Sequence, residues 1–216
     1  LQKMGASVER TYPDTIEVEG KRRLRGAEHK VMPDRIEAGT FAIAAGVTGG
    51  HVVLEGADCD TMQALVEVMG QAGLDVTCDP GRMEVDARKR GPRGLDPVSV
   101  VTGPYPELAT DIQPPTTVLL TQARGDSKVH EAIFEDRLEW TGELRKMGAN
   151  IELKGPQRAI IHGPAKLHAA DVEISDLRAG ASLILGALAA SGTSSIGGAH
   201  HVRRGYENIE RKFLDL

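Results

Sequence analysis

Apolar residues recur at helical spacing in three stretches of this chain, over residues 34–49, 111–125 and 176–192. Each stretch begins with an aspartate, which commonly caps a helix, and ends with a glycine, which commonly terminates one. In the third stretch the apolar face consists of Leu177, Ala181, Ile184, Leu185 and Leu188. The pattern therefore predicts three core-facing helices of about four turns, each with an aspartate N-cap.

Short runs of β-branched residues flank each of these helices. The runs before the helices are "EHKVM", "PVSVVTG" and "ADVEIS", and those after them are "HVVLEGA", "KVHEAIFE" and "TSSIGGA". A second helix follows each time, in "DTMQALVEVMGQAG", "DRLEWTGELRKMGA" and "RRGYENIERKFLDL", and the first two continue into hairpins. The chain is therefore predicted to repeat a β-α-β-α-β-β unit of about 65 to 75 residues.

The first helix of each unit is apolar enough to be buried, whereas the second carries charge. We therefore expect an α/β (α+β) fold in which three units close one domain around inward-facing helices. An ordinary doubly wound sheet is the alternative, because periodicity alone does not distinguish the two.

The start of the chain, "LQKMGASVERTYPDTIEVEG", looks like "LRKMGANIELKGPQRAIIHG" from its middle. The chain is therefore expected to begin inside the last helix and hairpin of a preceding unit. It stops at Leu216, where a third hairpin is expected to begin, so we expect truncation at both ends. Residues 1–30 are predicted to be the tail of a preceding domain, and residues 31–216 an incomplete domain of three repeats.

The composition of the chain argues against nucleic-acid and membrane partners. Of the 216 residues only 3% are aromatic, the net charge is -5, and the basic residues are scattered, which argues against a nucleic-acid surface. No apolar stretch approaches the roughly 18 residues that suggest a membrane span, so no membrane partner is expected. Cys59 and Cys78 form no CxxC motif, and we predict a cytoplasmic protein with both thiols reduced.

Several arginines lie at or near predicted helix starts, where the helix dipole disfavours a cation by about 0.3 to 1 kcal/mol. They are Arg35, Arg137, Arg178 and the pair Arg203–Arg204. Helix N-termini and guanidinium groups both bind carboxylate or phosphate, so their recurrence indicates an anion site. The alternative is that Asp34, Asp111 and Asp176 are only N-caps and that each arginine pairs with the acid beside it.

Three further features are weak indicators of function. His200 and His201 could shuttle protons, although a histidine pair in a loop more often serves packing or faces solvent. Trp140 is most simply a core anchor. The glycines of "GGAHHVRRG" lack the spacing of a nucleotide-binding loop.

Five segments carry a resemblance to a known family. They are "VMPDRIEAGTFAIAA", "PYPELATDIQ", "EAIFEDRLEWTGELRKMGA", "SDLRAGASLILGALAASGT" and "HHVRRGYENIERK". In order and spacing they resemble motifs of the bacterial UDP-N-acetylglucosamine 1-carboxyvinyltransferases, members of the EPSP synthase superfamily of enolpyruvyl transferases. The resemblance implies an EPSP synthase-like fold of two inside-out α/β barrels, each of three β-α-β-α-β-β units.

The resemblance also implies a reaction. The enolpyruvyl group of phosphoenolpyruvate passes to the 3-hydroxyl of UDP-N-acetylglucosamine and phosphate is released, without metal or organic cofactor. This is the first committed step of peptidoglycan synthesis, and so serves cell-wall biogenesis, cell shape and cell division. By the resemblance, this chain covers the end of one barrel and most of the other.

Site residues follow from the same motifs. Asp111 matches the aspartate assigned as the base, and Arg204 matches an arginine that contacts phosphoenolpyruvate. Matches to the sugar-nucleotide site and to the charge pairs that support the closed site are Ile133, Phe134, Arg137, Asp176 and Arg178.

Some features depart from the family pattern. Arg203 stands where the family usually has aspartate, and Pro114 and Pro115 follow the aspartate motif, which could shift the helix start. The family's N-terminal Lys-Asn pair and mobile loop lie outside this chain, so the chain alone is expected to be inactive and to need the missing barrel. The alternatives are a diverged paralogue that binds sugar nucleotides without transfer, another enolpyruvyl transferase such as 5-enolpyruvylshikimate-3-phosphate synthase, or a purely structural repeat domain.

Overall fold

The computed structural model describes residues 1–12 and 15–215, and the chain divides into two compact units, Leu1–Pro33 and Asp34–Leu216. The first unit contains a 3-10 helix over Gln2–Met4 and an antiparallel hairpin of β1 (Ser7–Tyr12) and β2 (Thr15–Glu19). A helical turn and hairpin were predicted at the start of the chain, and both are present. Their assignment to a preceding barrel stays a prediction.

The second unit holds the repeats. In chain order its elements are α1 (Arg35–Thr48), β3 (His51–Glu55), α2 (Gln63–Gln71), β4 (Asp75–Asp79), β5 (Arg82–Asp86), β6 (Ser99–Val101), α3 (Gln113–Leu120), β7 (Gly125–His130), α4 (Thr141–Lys146), β8 (Asn150–Leu153), β9 (Arg158–Gly163), β10 (Asp171–Glu173), α5 (Leu177–Ala189), β11 (Ser195–Gly197) and α6 (Ile209–Leu214). Further 3-10 helices cover Cys59–Thr61 and Ala199–Arg204.

The first helices of the three repeats, α1, α3 and α5, pack against one another in the centre. Helix α3 is buried along its whole length and α1 along most of its length, and small side chains allow close approach. In α5 the predicted apolar face is covered at Ala181 and Leu185, whereas Leu188 is 43% exposed, contrary to the prediction. A Cβ atom added to Gly46 of α1 would lie 2.5 Å from Leu119 of α3. The prediction of inward-facing first helices is confirmed, and burial of these apolar faces is the main stabilising term of the unit.

The strands of this second unit lie around its helical centre. Within the described residues they form three sheets, with the orders β3-β5-β4, β6-β7-β9-β8 and β10-β11, while β1-β2 is a separate sheet of the first unit. Strands β6 and β10 each pair in parallel with the strand that follows the buried helix, and both predicted hairpins are antiparallel. The arrangement confirms the inside-out α/β fold class, and the doubly wound alternative is wrong.

The predicted strand at "EHKVM" does not form. Residues 28–32 are exposed and pair with no strand among the described residues, and a strand without a hydrogen-bonding partner is not stable in water. The predicted second helices are also shorter than expected. For example, residues 137–140 form turns, and α4 begins only at Thr141.

Helix ends follow the prediction in the first repeat and depart from it in the others. Helix α1 is capped by Asp34 and followed by Gly49 in the left-handed conformation, as predicted. Helix α3 ends at Leu120, well before Gly125. Helix α5 ends at Ala189 rather than at Gly192, because Ala190 already has an extended backbone.

Cys59 and Cys78 form a disulfide, so the prediction of reduced thiols is wrong for this structure. The fold brings the 3-10 helix at Cys59 beside β4, and the two Cα atoms lie 6.1 Å apart, within the usual range for a disulfide. Among the described residues, no helix is both long and apolar enough to cross a membrane.

Candidate active site

Asp111 lies in the turn before α3, and two arginines bind its carboxylate. Arg137 donates from Nη2 to Oδ1 over 2.8 Å, and Arg178 donates from Nη2 to Oδ2 over 3.0 Å. Arg137 follows β7 in the second repeat, and Arg178 lies in the first turn of α5 in the third. The fold therefore joins residues far apart in sequence into one charge cluster.

Asp111 is not a helix cap, contrary to the prediction. Helix α3 starts at Gln113, with Ile112 at the N-cap position and no side-chain cap bond. A capping aspartate accepts from the backbone N–H groups two and three residues on. For Asp111 the residue three positions on is Pro114, which has no N–H, and the residue two positions on is Gln113, whose N–H donates to the carbonyl of Thr110 over 3.3 Å. The carboxylate is therefore left to the arginines.

Asp34 and Asp176 are the N-cap residues of α1 and α5, as predicted. Asp34 accepts from the N–H groups of Ile36 and Glu37 at 2.8 and 3.2 Å. Asp176 accepts from those of Arg178 and Ala179 at 2.8 and 3.0 Å.

The proposed local pairing of arginines with neighbouring acids is wrong. Arg137 and Arg178 bind Asp111 rather than Asp136 and Asp176. The guanidinium of Arg35 lies over the ring of Tyr105, 5.1 Å from its centroid.

Tyr206 holds Arg178 from the other side. The guanidinium lies 5.6 Å from the centroid of the Tyr206 ring, and the buried Tyr206 hydroxyl bonds to the hydroxyl of Thr40 over 2.9 Å. Burial raises the pKa of the Tyr206 phenol. Burial by itself lowers the pKa of Arg178, but its interactions with Tyr206 and with the Asp111 carboxylate outweigh burial, so the pKa lies above its ordinary value. Arg178 is therefore a fixed cation.

The cluster lines a cleft of about 670 Å³. Its lining consists of Asp111, Asp136, Arg137, Glu139, Trp140, Ser175, Asp176, Leu177, Arg178, His201 and Arg204. The Asp111 side chain is 41% exposed, so a ligand in the cleft can reach the carboxylate. The site is therefore a polar cleft with three arginines around a reachable carboxylate.

The adjacent residues Arg203 and Arg204 differ in their surroundings. Arg203 donates from Nε and Nη2 to Glu210 at 3.0 and 2.8 Å, and it is not part of the described cleft lining. Arg204 is exposed in the cleft, and within residues 1–12 and 15–215 it has no ion-pair partner. Glu210 therefore neutralises the charge of Arg203 outside the cleft.

Ile133 and Phe134 are exposed beside the cluster, at 40% and 51%, but do not belong to the described cleft lining. The guanidinium of Arg137 lies 5.2 Å from the centroid of the Phe134 ring. The structure therefore brings Asp111, Arg137, Asp176, Arg178 and Arg204 to one cleft and leaves this pair at its edge.

Four residues near the cleft were not predicted as functional. Trp140 and His201 line it, Tyr206 supports Arg178, and Glu131 is buried behind the Asp111 turn. Only Glu131 has a clear signal in the sequence. Strand β7 alternates, with Ser127 and Val129 buried, and the same alternation directs Glu131 inward, where a carboxylate requires hydrogen-bond donors.

A family model described as EPSP synthase (3-phosphoshikimate 1-carboxyvinyltransferase) matches residues 1–213. The UDP-N-acetylglucosamine 1-carboxyvinyltransferase of Beijerinckia indica subsp. indica is 43% identical over 212 residues, which are 98% of this chain and 48% of that protein. The UDP-N-acetylglucosamine 1-carboxyvinyltransferase 1 of Caldanaerobacter subterraneus subsp. tengcongensis is 41% identical over 216 residues, which are 100% of this chain and 51% of that protein.

Solved structures agree with the fold. The enolpyruvyl transferase NikO from Streptomyces tendae superposes with a TM-score of 0.87 at 26% identity, covering 100% of this chain and 50% of that one. EPSP synthase from Acinetobacter baumannii superposes with a TM-score of 0.76 at 22% identity over 100% of this chain and 52% of that one, which supports the fold alone. The chain spans about half the length of the curated relatives it matches. The resemblance carried by the five sequence segments is confirmed, and this chain belongs to the EPSP synthase family, with the UDP-N-acetylglucosamine 1-carboxyvinyltransferases among its similar relatives.

Proposed function

We propose that this chain supplies about half of an enolpyruvyl transferase. That enzyme transfers the enolpyruvyl group of phosphoenolpyruvate to the 3-hydroxyl of UDP-N-acetylglucosamine and releases phosphate, in peptidoglycan synthesis. The observation that carries the proposal is the Asp111 carboxylate, held by Arg137 and Arg178 in a cleft that also contains Arg204, which has no ion-pair partner in the described part of the chain. The names of the curated relatives support the same substrates.

Asp111 is the proposed general base. Each of its oxygens accepts one guanidinium bond and so keeps capacity to accept the sugar hydroxyl. The proton passes to the carboxylate as the sugar oxygen bonds to C2 of phosphoenolpyruvate, and the C2–O bond to phosphate then breaks. C3 gains a proton in the addition and loses it in the elimination, and the acid for this step is expected outside this chain.

The arginines bind the charges of the substrates. Phosphoenolpyruvate carries a phosphate and a carboxylate, and a guanidinium fork binds either group with two parallel bonds. Arg204 is the proposed phosphoenolpyruvate ligand because its charge is not neutralised by an ion pair within the described residues. Arg137 and Arg178 orient the base, and Phe134 with Ile133 is proposed to line the sugar-nucleotide site.

The test uses a completed enzyme, defined as this chain joined to the half of the Beijerinckia indica relative that it does not cover. We expect phosphate release that requires both phosphoenolpyruvate and UDP-N-acetylglucosamine. Saturable binding of the sugar nucleotide without phosphate release would instead indicate a non-transferring paralogue. Release with shikimate 3-phosphate in place of the sugar nucleotide would indicate the sister activity, and no binding of any substrate would leave a structural domain.

Two adjacent arginines provide a matched test of phosphoenolpyruvate binding. Arg204→Lys keeps the charge but loses the fork, so the KM for phosphoenolpyruvate in the completed enzyme should rise by about tenfold or more, with a smaller change for the sugar nucleotide. Arg203→Lys should change both values by less than about twofold, because Arg203 binds Glu210 outside the cleft. Equal rises for both substrates in Arg204→Lys would contradict the assignment.

We also propose a cytoplasmic location, because both proposed substrates are metabolites of the cytoplasm. The reaction then affects cell shape and division through the supply of peptidoglycan precursor. Fractionation of cells that express the tagged protein tests the location, and recovery in the periplasmic or membrane fraction would contradict it.

A further inference from the structure

Glu131 is a buried carboxylate at the end of β7, and its side chain is fully enclosed at 0% exposure. A carboxylate is costly to bury unless donors surround it. Glu131 lies outside the cleft lining, so it does not serve a ligand directly. The structure therefore raises the question of which donors hold it and what they position.

Four donors bind this carboxylate, and they come from three different segments. The Oε1 atom accepts from the hydroxyl of Thr102 at 2.8 Å and from the N–H groups of Ile133 and Phe134 at 3.0 and 3.2 Å. The Oε2 atom accepts from the hydroxyl of Thr110 at 2.8 Å. The hydroxyl of Thr102 also accepts from the N–H of Ala132 at 2.9 Å.

Two of these three segments flank the candidate site. Thr110 directly precedes Asp111, in the turn that leads into α3. Ile133 and Phe134 form the edge of the cleft, and Phe134 contacts Arg137. One buried carboxylate thus ties the turn of the proposed base to the loop of the proposed sugar-nucleotide contacts.

We infer that Glu131 is a positioning residue for the transfer reaction, and this inference rests on the proposed function. Its Oε2 atom fixes the Asp111 turn through Thr110 and so affects the chemical step. Its Oε1 atom fixes the loop at 132–134, directly and through Thr102, and so affects binding of the sugar nucleotide. The two oxygens therefore control different kinetic constants.

Two threonine variants separate these effects in the completed enzyme. Thr110→Val removes the hydroxyl at nearly constant volume, so kcat should fall by about tenfold or more while the KM for the sugar nucleotide changes by less than about twofold. Thr102→Val should raise that KM by about fivefold or more and change kcat by less than about threefold. Thr110→Ser and Thr102→Ser keep the hydroxyls and should retain near-normal constants.

Glu131→Gln provides a third variant. The amide NH₂ of glutamine is a donor and replaces one of the two acceptor oxygens. Whichever oxygen it replaces, it faces hydroxyl or N–H donors, so kcat should fall and the KM for the sugar nucleotide should rise. The same change in both constants for Thr110→Val and Thr102→Val would overturn the division between the two oxygens. Near-normal constants for Glu131→Gln would overturn the positioning role.

A measurement without turnover keeps the inference separate from the proposed function. In this chain, Thr110→Val should accelerate amide hydrogen exchange at Ile112 and Gln113 and leave Ala132 unchanged, whereas Thr102→Val should do the reverse. Acceleration at both places by both variants, or at neither, would overturn the inference. A completed enzyme that releases no phosphate with unchanged Thr110 and Thr102 would instead refute the proposed function, while the exchange result still decides the positioning.

Discussion

The first and second repeats of this chain each place an aspartate just before a buried helix and use it differently. Asp34 caps α1 through the N–H groups of Ile36 and Glu37. Asp111 caps nothing and binds Arg137 and Arg178. The difference arises two and three residues further on, where the second repeat has a proline and a turn in place of two available donors.

The same two repeats differ in how they are held together. The first repeat has the Cys59–Cys78 disulfide, which ties the start of its second helix to its hairpin. The second repeat has the buried Glu131, which ties its loops together through hydrogen bonds. The first repeat is therefore cross-linked by a covalent bond, whereas the second, which carries the proposed base, is cross-linked by hydrogen bonds to a buried carboxylate.

The largest expected effect is on the aspartate itself. Asp111→Asn keeps the shape of the side chain but removes the base, so kcat in the completed enzyme should fall by about 100-fold or more, with little change in sugar-nucleotide affinity. Steady-state kinetics and equilibrium binding measure the two quantities. Turnover within about threefold of the unchanged protein would refute the base assignment.

Asp34→Asn is the matched control, because it makes the same change at the equivalent position of the first repeat. Asparagine caps a helix about as well as aspartate, so turnover should stay within about twofold. A large loss from Asp34→Asn would show that the aspartates share a role and would abolish the contrast between the repeats.

The next effect concerns the disulfide of the first repeat. Replacing both cysteines, in Cys59→Ser with Cys78→Ser, opens a loop with a sequence separation of 19 residues. The unfolding free energy of this chain should fall by about 3 kcal/mol, as measured by urea denaturation. A reducing agent should lower the stability of the unchanged chain by a similar amount and leave the double variant unaffected. No response of the unchanged chain to the reducing agent would contradict a stabilising disulfide.

Local rules were sufficient to predict both ends of α1 in the first repeat. Whether Asp34 caps α1 and whether Gly49 ends it depend on backbone groups within a few residues, and both predictions are confirmed. The β4-β5 and β8-β9 hairpins were likewise predicted from local features, the alternation of polar and apolar residues and the Pro and Gly residues at the turns. The expected strand at residues 28–32 failed because a strand depends on a distant partner, which no local pattern reveals.

Predicting the candidate site required both local sequence rules and long-range contacts between repeats. That Asp111 is not a cap follows from the position of Pro114 and is therefore local, but its binding to Arg137 and Arg178 depends on how three repeats close. The disulfide likewise depends on the approach of residues 19 apart. The roles of Asp111, Arg204 and their neighbours came from the family resemblance, and they stay proposals.

A smaller effect is expected from removing the cap itself. Asp34→Ala leaves the N–H groups of Ile36 and Glu37 without their acceptor, so the unfolding free energy should fall by about 1 kcal/mol. Asp176→Ala should cost a similar amount at the start of α5, whereas Asp34→Asn should change the value by only a few tenths of a kcal/mol. Urea denaturation of the three variants measures these differences. Equal stability of Asp34→Ala and the unchanged chain would show that the cap is energetically unimportant.

The smallest effect tests why the repeats differ. Pro114→Ala restores an N–H three residues after Asp111, the position from which Glu37 donates to Asp34 in the first repeat. In part of the molecules the Asp111 side chain should then turn toward the start of α3. A capping hydrogen bond competes for this carboxylate with two partly exposed ion pairs, which are of modest strength. Turnover of the completed enzyme should fall by about twofold, and the new amide of residue 114 should be protected from hydrogen exchange. Pro115→Ala is the control, since its new N–H lies four residues on, beyond the reach of a cap. If Pro115→Ala changed turnover as much as Pro114→Ala, or if the amide at 114 exchanged freely, the missing donor would not be the reason that Asp111 is available for chemistry.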